Sequence, residues 1–230
     1  MSRRALRAGS LAILLAAGAA FAGEDWTPCP DNDWEIAGAD AAERALVCRG
    51  VGAAVEVLTG CGLEVKEAGR VRLVEALPVF CDEAAYGVFD AETREIRLGR
   101  PALCVEEAPT GSLFLSLPLE VAFEALAAHE ATHALLYAAG LAGARRMEHE
   151  YIAGVVQHAV LSPEHLAAAL AGVGALPPAS EAEFNPFFLS FAPAAFAAKA
   201  WLDFEARPDG CGFLRDLATG AARLPDLPEL

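Results

Sequence analysis

His129-Glu130-Ala131-Thr132-His133 places two histidines four residues apart with a glutamate beside the first. On a helix, positions i and i+4 lie on one face about one turn apart, so two imidazole nitrogens can reach a single metal ion. Zinc is the usual choice for nitrogen ligands where one position stays open. The chain holds only five histidines, so this pairing is not a by-product of histidine richness. The surrounding segment, Leu119 to Gly140, is apolar on nearly every side, as in a helix enclosed within a domain. Two histidines and a glutamate inside such a helix are costly without partners, and a metal would supply one. His149 and His158 are less suited, since a lone helix histidine is more often a surface or hydrogen-bonded core residue.

The elements around this helix can be read in outline. Gly23 to Gly38 reads as a surface lead-in. Asp40 caps a helix over 41–59, with Ala45, Leu46, Val51, Ala54, Val55 and Leu58 on one face. Residues 71–77 alternate as a strand, and 85–89 with 94–98 form a hairpin turned at 90–93. Residues 104–111 read as loop. Ser116-Leu117-Pro118 starts the central helix, with serine as cap, and Gly140 stops it. A second helix follows over about 145–161, and a third over 165–170 behind Ser162. The remainder is helical and aromatic, with Phe184, Phe187, Phe188, Phe191, Phe196, Trp201, Phe204 and Phe213 expected in a C-terminal core.

The formal charge is −15 and the hydrophobic share is 55%. The chain is therefore globular, and its acidity excludes nucleic acid and anionic lipid as partners. Arg3, Arg4 and Arg7, the apolar stretch 11–20 and Ala20-Phe21-Ala22 have the form of an export signal cleaved after Ala22. Its apolar core is too short for a comfortable membrane span. The expected division is a signal peptide at 1–22 and one domain at 23–230, with an N-terminal α/β lobe to 140 and a helical lobe from 141. Six cysteines follow the signal, so a periplasmic or secreted location and up to three disulfides are expected. Cys48 and Cys61, at opposite ends of the first helix, are too far apart to bond. Cys81 with Cys104, flanking the hairpin, is the best single pair.

Helix, strands, edge hairpin, HExxH helix and helical lobe, in that order, resemble a small α+β metallopeptidase of the zincin superfamily. The metzincin branch is excluded because Leu136 and Ala139 stand where it needs glycine and histidine. Glu150-Tyr151-Ile152-Ala153 is similar to the E-x-x-A that opens the ligand-bearing helix of gluzincins. The resemblance implies His129, His133 and Glu150 as zinc ligands and Glu130 as general base toward metal-activated water. It also implies an edge strand that binds an extended peptide or protein substrate. Glu148 and Glu150 point roughly 200° apart on one helix, so only one can face the metal. Glu148 falls with Met147, Tyr151, Ile152, Val155 and Ala159 on the large apolar face. Glu150 shares the other side with Ala153, Gly154 and Gln157, where the small residues would allow close approach to the metal helix, and is favoured. For the oxyanion, Tyr86, Tyr137, Tyr151, His158 and His165 are the candidates. The alternative expectation is a non-enzymatic, disulfide-stapled exported binding protein on the same scaffold. The absence of tyrosine and histidine beyond His165 points that way, while the intact Glu130 points against it.

Overall fold

The computed structural model describes residues 25–65, 68–76, 79–80, 83–141, 145–177 and 179–225. The signal-like segment 1–22 lies outside them. The fold is α+β. Strands β1 (Thr27–Pro28), β2 (Asp33–Ala37), β3 (Ala68–Val74), β6 (Gly87–Asp90) and β7 (Glu95–Gly99) form a five-stranded mixed sheet in the order β1-β2-β3-β7-β6. A two-stranded piece, β4 (Val79–Phe80) with β5 (Glu83–Ala84), stands apart. Strands β2, β3 and β7 run parallel, whereas β1 and β6 are antiparallel to their neighbours. Strand β6 is thus an edge.

The lead-in expected at 23–38 is instead part of the sheet. Trp34 and Ile36 of β2 are buried, and β2 pairs with β3 from Asp33↔Ala68 to Ala37↔Arg72. Parallel neighbours need a crossover connection, and helix α1 (Ala41–Gly60) supplies it. The Asp40 cap forms as expected, as a capping box. Its carboxylate accepts from the backbone of Ala42 and Glu43, while Glu43 accepts from the backbone of Asp40 at 3.0 Å. The β6–β7 turn is pinned by the Asp90 carboxylate, which accepts from the backbone of Glu92 and Thr93.

The stretch expected as loop after Gly99 contains α2 (Pro101–Glu106) and α3 (Leu113–Ser116). The central helix α4 spans Leu119–Ala138, and Ser116 does not cap it. Ser116 ends α3, the cap position of α4 is Pro118, and Ser112 caps α3. Gly140 ends α4 with φ 73°, the left-handed conformation glycine adopts without a side-chain clash. Helix α4 is enclosed by α1, by the sheet through β3, β6 and β7, and by α5 (Arg146–Ala159). Its contact with α1 is close because of Gly50, where a Cβ would come within 2.4 Å of the Glu124 carbonyl oxygen.

The chain then continues through α6 (Pro163–Gly172), α7 (Pro186–Phe191), α8 (Pro193–Ala206) and α9 (Gly210–Thr219). Tyr151, Phe184, Phe196 and Phe213 meet edge to face, with ring centroids 5.0 to 5.6 Å apart, the favoured geometry for aromatic pairs. Phe187 and Phe191 do not join this core. They stack on each other at the surface, 72% and 81% exposed. Gly154 does not bring α5 against α4. Its close neighbour is Ala197 of α8, whose Cα would lie 3.0 Å from an added Cβ.

Among the described residues, the disulfides are Cys29–Cys48 and Cys61–Cys211. Cys48 and Cys61 are not bonded to each other, as expected. The Cys81–Cys104 bridge is not present: Cys104 is a free, buried thiol whose Sγ donates to the Gly99 carbonyl at 3.6 Å. Cys81 itself lies outside the described residues. Burial pushes the Cys104 thiol up to about 12. No helix among the described residues is long and apolar enough to cross a membrane.

Candidate metal centre

Helices α4 and α5 run antiparallel across the floor of a cleft of about 760 Å³. His149 stacks on His133 with ring centroids 5.9 Å apart, and Gln157, two turns beyond Glu150, lies by His129. Between them three donor atoms converge. His129 Nε2 lies 3.3 Å from His133 Nε2 and 3.6 Å from Glu150 Oε2, and His133 Nε2 lies 3.9 Å from the same oxygen. A tetrahedral ion with bonds of about 2.05 Å sets its ligands about 3.3 Å apart, so the three donors fit zinc with little adjustment. They are the one group of three or more potential ligands of this kind among the described residues. The two-nitrogen, one-carboxylate set with a free side toward the cleft matches an open zinc site.

Glu148 has a different fate. It is fully buried on the opposite side of α5, where its carboxylate accepts from Arg145 Nη2 at 2.9 Å and from the backbone N–H of Leu224 at 3.0 Å. It anchors the C-terminal segment to α5.

The electrostatics follow from crowding. Burial alone would push the Glu150 carboxyl up, but the His129 side chain and the charges of His133, His129 and Arg146 hold it down at about 2. Burial pushes His133 down to about 3. At His129 burial is outweighed by Glu150 and Glu130, and its affinity for a proton rises. The site therefore attracts positive charge through Glu150 while keeping His133 neutral, which suits a cation ligand.

Glu130 faces the cleft beside these donors. Burial is the main cause that lifts its carboxyl to about 7, with Glu150 adding to the rise. A backbone hydrogen bond from Phe89 of β6 acts the other way and steadies the ionised form. Strand β6 lies directly on this side chain. A Cβ at Gly87 would come within 2.5 Å of Glu130 Cγ, so only glycine lets the edge strand pass so closely. Within the motif, Thr132 is buried and satisfied, its hydroxyl donating to the Ala128 carbonyl at 2.8 Å.

Of the residues considered for the oxyanion, Tyr86, Tyr137 and His158 line the cleft. Tyr86 donates to the Glu107 carbonyl at 3.2 Å, and Tyr137 packs its ring on Phe89 at 5.5 Å. Tyr151 is in the core, its hydroxyl donating to Asp203. His165 is not among the cleft residues. Sequence reasoning gave no site role to Gly87, Arg146 or Gln157. Helical spacing held the signal for two of them, since Arg146 and Gln157 sit four before and seven after Glu150, on the same face. Gly87 left no signal, because its role depends on where β6 crosses α4.

The chain belongs to DUF6639, a family of unknown function, which it matches over residues 34–226. No curated protein matches it. No solved structure matches it either.

Proposed function

We propose that the protein is an exported zinc-dependent peptidase of zincin type, with His129, His133 and Glu150 as ligands and Glu130 as general base. The observation that carries this reading is the convergence of the three donor atoms beside a buried glutamate, whose carboxyl burial pushes up to about 7. Zinc bound there would act as a Lewis acid and bring the pKa of water down to about 7.

The rest of the chemistry belongs to the chain. A carboxyl poised near 7 both accepts and returns protons at neutral pH. Glu130 would take a proton from the attacking water and deliver it to the leaving nitrogen, with the Phe89 N–H holding its charged form. Strand β6 ends the sheet on the cleft side, and its free edge would take an extended substrate as an added strand. Tyr86, Tyr137, His149 and Arg146 line the same cleft and would supply hydrogen bonds to the substrate carbonyl, a role the C-terminal lobe beyond His165 does not fill. The two disulfides fit an oxidising compartment, in keeping with the export signal read at 1–22.

The test combines metal analysis with cleavage of a peptide library by wild type and Glu130→Ala. The expected result is one zinc per chain in both proteins and cleavage by the wild type alone. A protein without zinc sinks the centre. Zinc without cleavage, and a Glu130→Ala form indistinguishable from wild type, would instead support a binding protein that keeps the scaffold.

A further inference from the structure

His129 and His133 turn their Nε2 atoms toward each other and toward Glu150 Oε2, at 3.3 and 3.6 Å from His129. A neutral imidazole carries one proton. If Nε2 offers its lone pair to a cation, the proton sits on Nδ1 and needs an acceptor. His129 Nδ1 is fully buried and, among the described residues, has no hydrogen-bond partner. A buried donor left in that state is costly. Ligand histidines are ordinarily held by an acceptor on the other ring nitrogen, which fixes tautomer and orientation.

The antiparallel packing of the helices narrows the choice of acceptor. His149 is at the His133 end of the pair, stacked on that ring. Gln157 is at the His129 end. It lies seven residues after Glu150 on the same face of α5, about 10.5 Å further along the axis, and lines the cleft. Its side chain lies beside the His129 ring. The neighbouring His158 also lines the cleft, but its Nδ1 bonds to the Gly154 carbonyl at 2.9 Å and ties the ring to its own helix.

We infer that Gln157 is the positioning residue of the centre: its side-chain carbonyl accepts the Nδ1–H of His129 and holds Nε2 toward Glu150. The inference rests on the zinc reading above. An amide presents its oxygen or its nitrogen by a half-turn of its last torsion, and Gln157 is half-buried at the cleft wall.

Zinc affinity of the purified full chain, measured by competition with a chromogenic chelator, tests the assignment. Gln157→Met keeps the length and removes the acceptor, and should bind zinc about 10–100-fold more weakly. Gln157→Asn keeps the amide but draws it out of reach, and should lose as much. Gln157→Glu restores an acceptor and should bind at least as tightly as wild type. The melting temperatures of the metal-free variants should stay at the wild-type value, a result that loss of general packing would not give. Wild-type affinity in Gln157→Met, a failure of Gln157→Glu to restore it, or a loss that follows His158→Phe and spares Gln157→Met overturns the inference alone. A wild-type chain that binds no zinc overturns the metal reading and this inference with it.

Discussion

The two sides of helix α5 contrast two ways of keeping a carboxylate inside a protein. On the core side, Glu148 is fully buried and pairs with Arg145 and the Leu224 N–H. Around it Met147, Tyr151, Ile152 and Val155 are packed into the core. On the cleft side, Glu150 faces two histidine nitrogens at 3.6 and 3.9 Å. Both carboxyls are held below their usual range against the pull of burial. The first is lowered by groups that the fold itself brings, the second by groups that gather around an ion-sized space. A low carboxyl pKa alone therefore does not mark a site. What marks it is the kind of partner.

Changes on the cleft side should remove chemistry and spare the fold, and changes on the core side should do the opposite. The largest effect is expected for Glu130→Gln, which should lower peptide hydrolysis by about 10²–10⁴-fold with zinc still bound. Equal turnover in the two proteins would break the contrast at its strongest point. Glu150→Ala should weaken zinc binding by more than the roughly 100-fold typical of an outer-shell partner, while the metal-free chain melts as wild type does. Glu148→Ala should leave zinc affinity unchanged and cost about 1–3 kcal/mol in denaturant unfolding, because it strands the Leu224 N–H. If Glu148→Ala released zinc and Glu150→Ala unfolded the chain, the two sides would have to be exchanged.

Acid should separate the sides as well. Burial pushes His158 down from 6.5 to about 4, so between those values the unfolded chain binds the proton and the folded one does not. The stability from neutral His158 is complete above pH 6.5 and is lost as pH falls toward 4, by about 3 kcal/mol at most. His158→Phe should flatten that part of the pH–stability profile. An unchanged slope would show that other groups control it. The smallest effect is expected at the surface, where Phe187→Ser and Phe191→Ser should each change stability by less than about 0.5 kcal/mol, in contrast to several kcal/mol for Phe196→Ala in the core.

The local parts of the site were legible in the chain. Four-residue spacing put His129 and His133 on one face, and helical rotation separated Glu150 from Glu148 before any packing was known. Asp40 and Gly140 gave the helix ends for the same reason, since capping is decided within one turn. What depends on distant residues was not legible. Trp34 lies in a region rich in proline and acidic residues, and only its pairing with β3 makes it a core strand. The partners of Cys29 and Cys61 are set by where α1 meets β2 and α9, which spacing does not encode. Ser116 has the chemistry of a cap, but it is already spent in α3, so α4 begins at Pro118 without one. Phe187 and Phe191 share the composition of the buried aromatics and differ only in the face of a short helix.

The Cys61–Cys211 bridge spans 150 residues. It makes a covalent ring that contains the HExxH helix, Glu150, Gln157 and the edge strand. Every group assigned to the site belongs to the ring, and closing it requires Cys211, near the end of the chain, together with an oxidant. Because disulfides persist in oxidising compartments and are reduced in the cytosol, the covalent constraint on this cluster of side chains depends on the redox state around the chain.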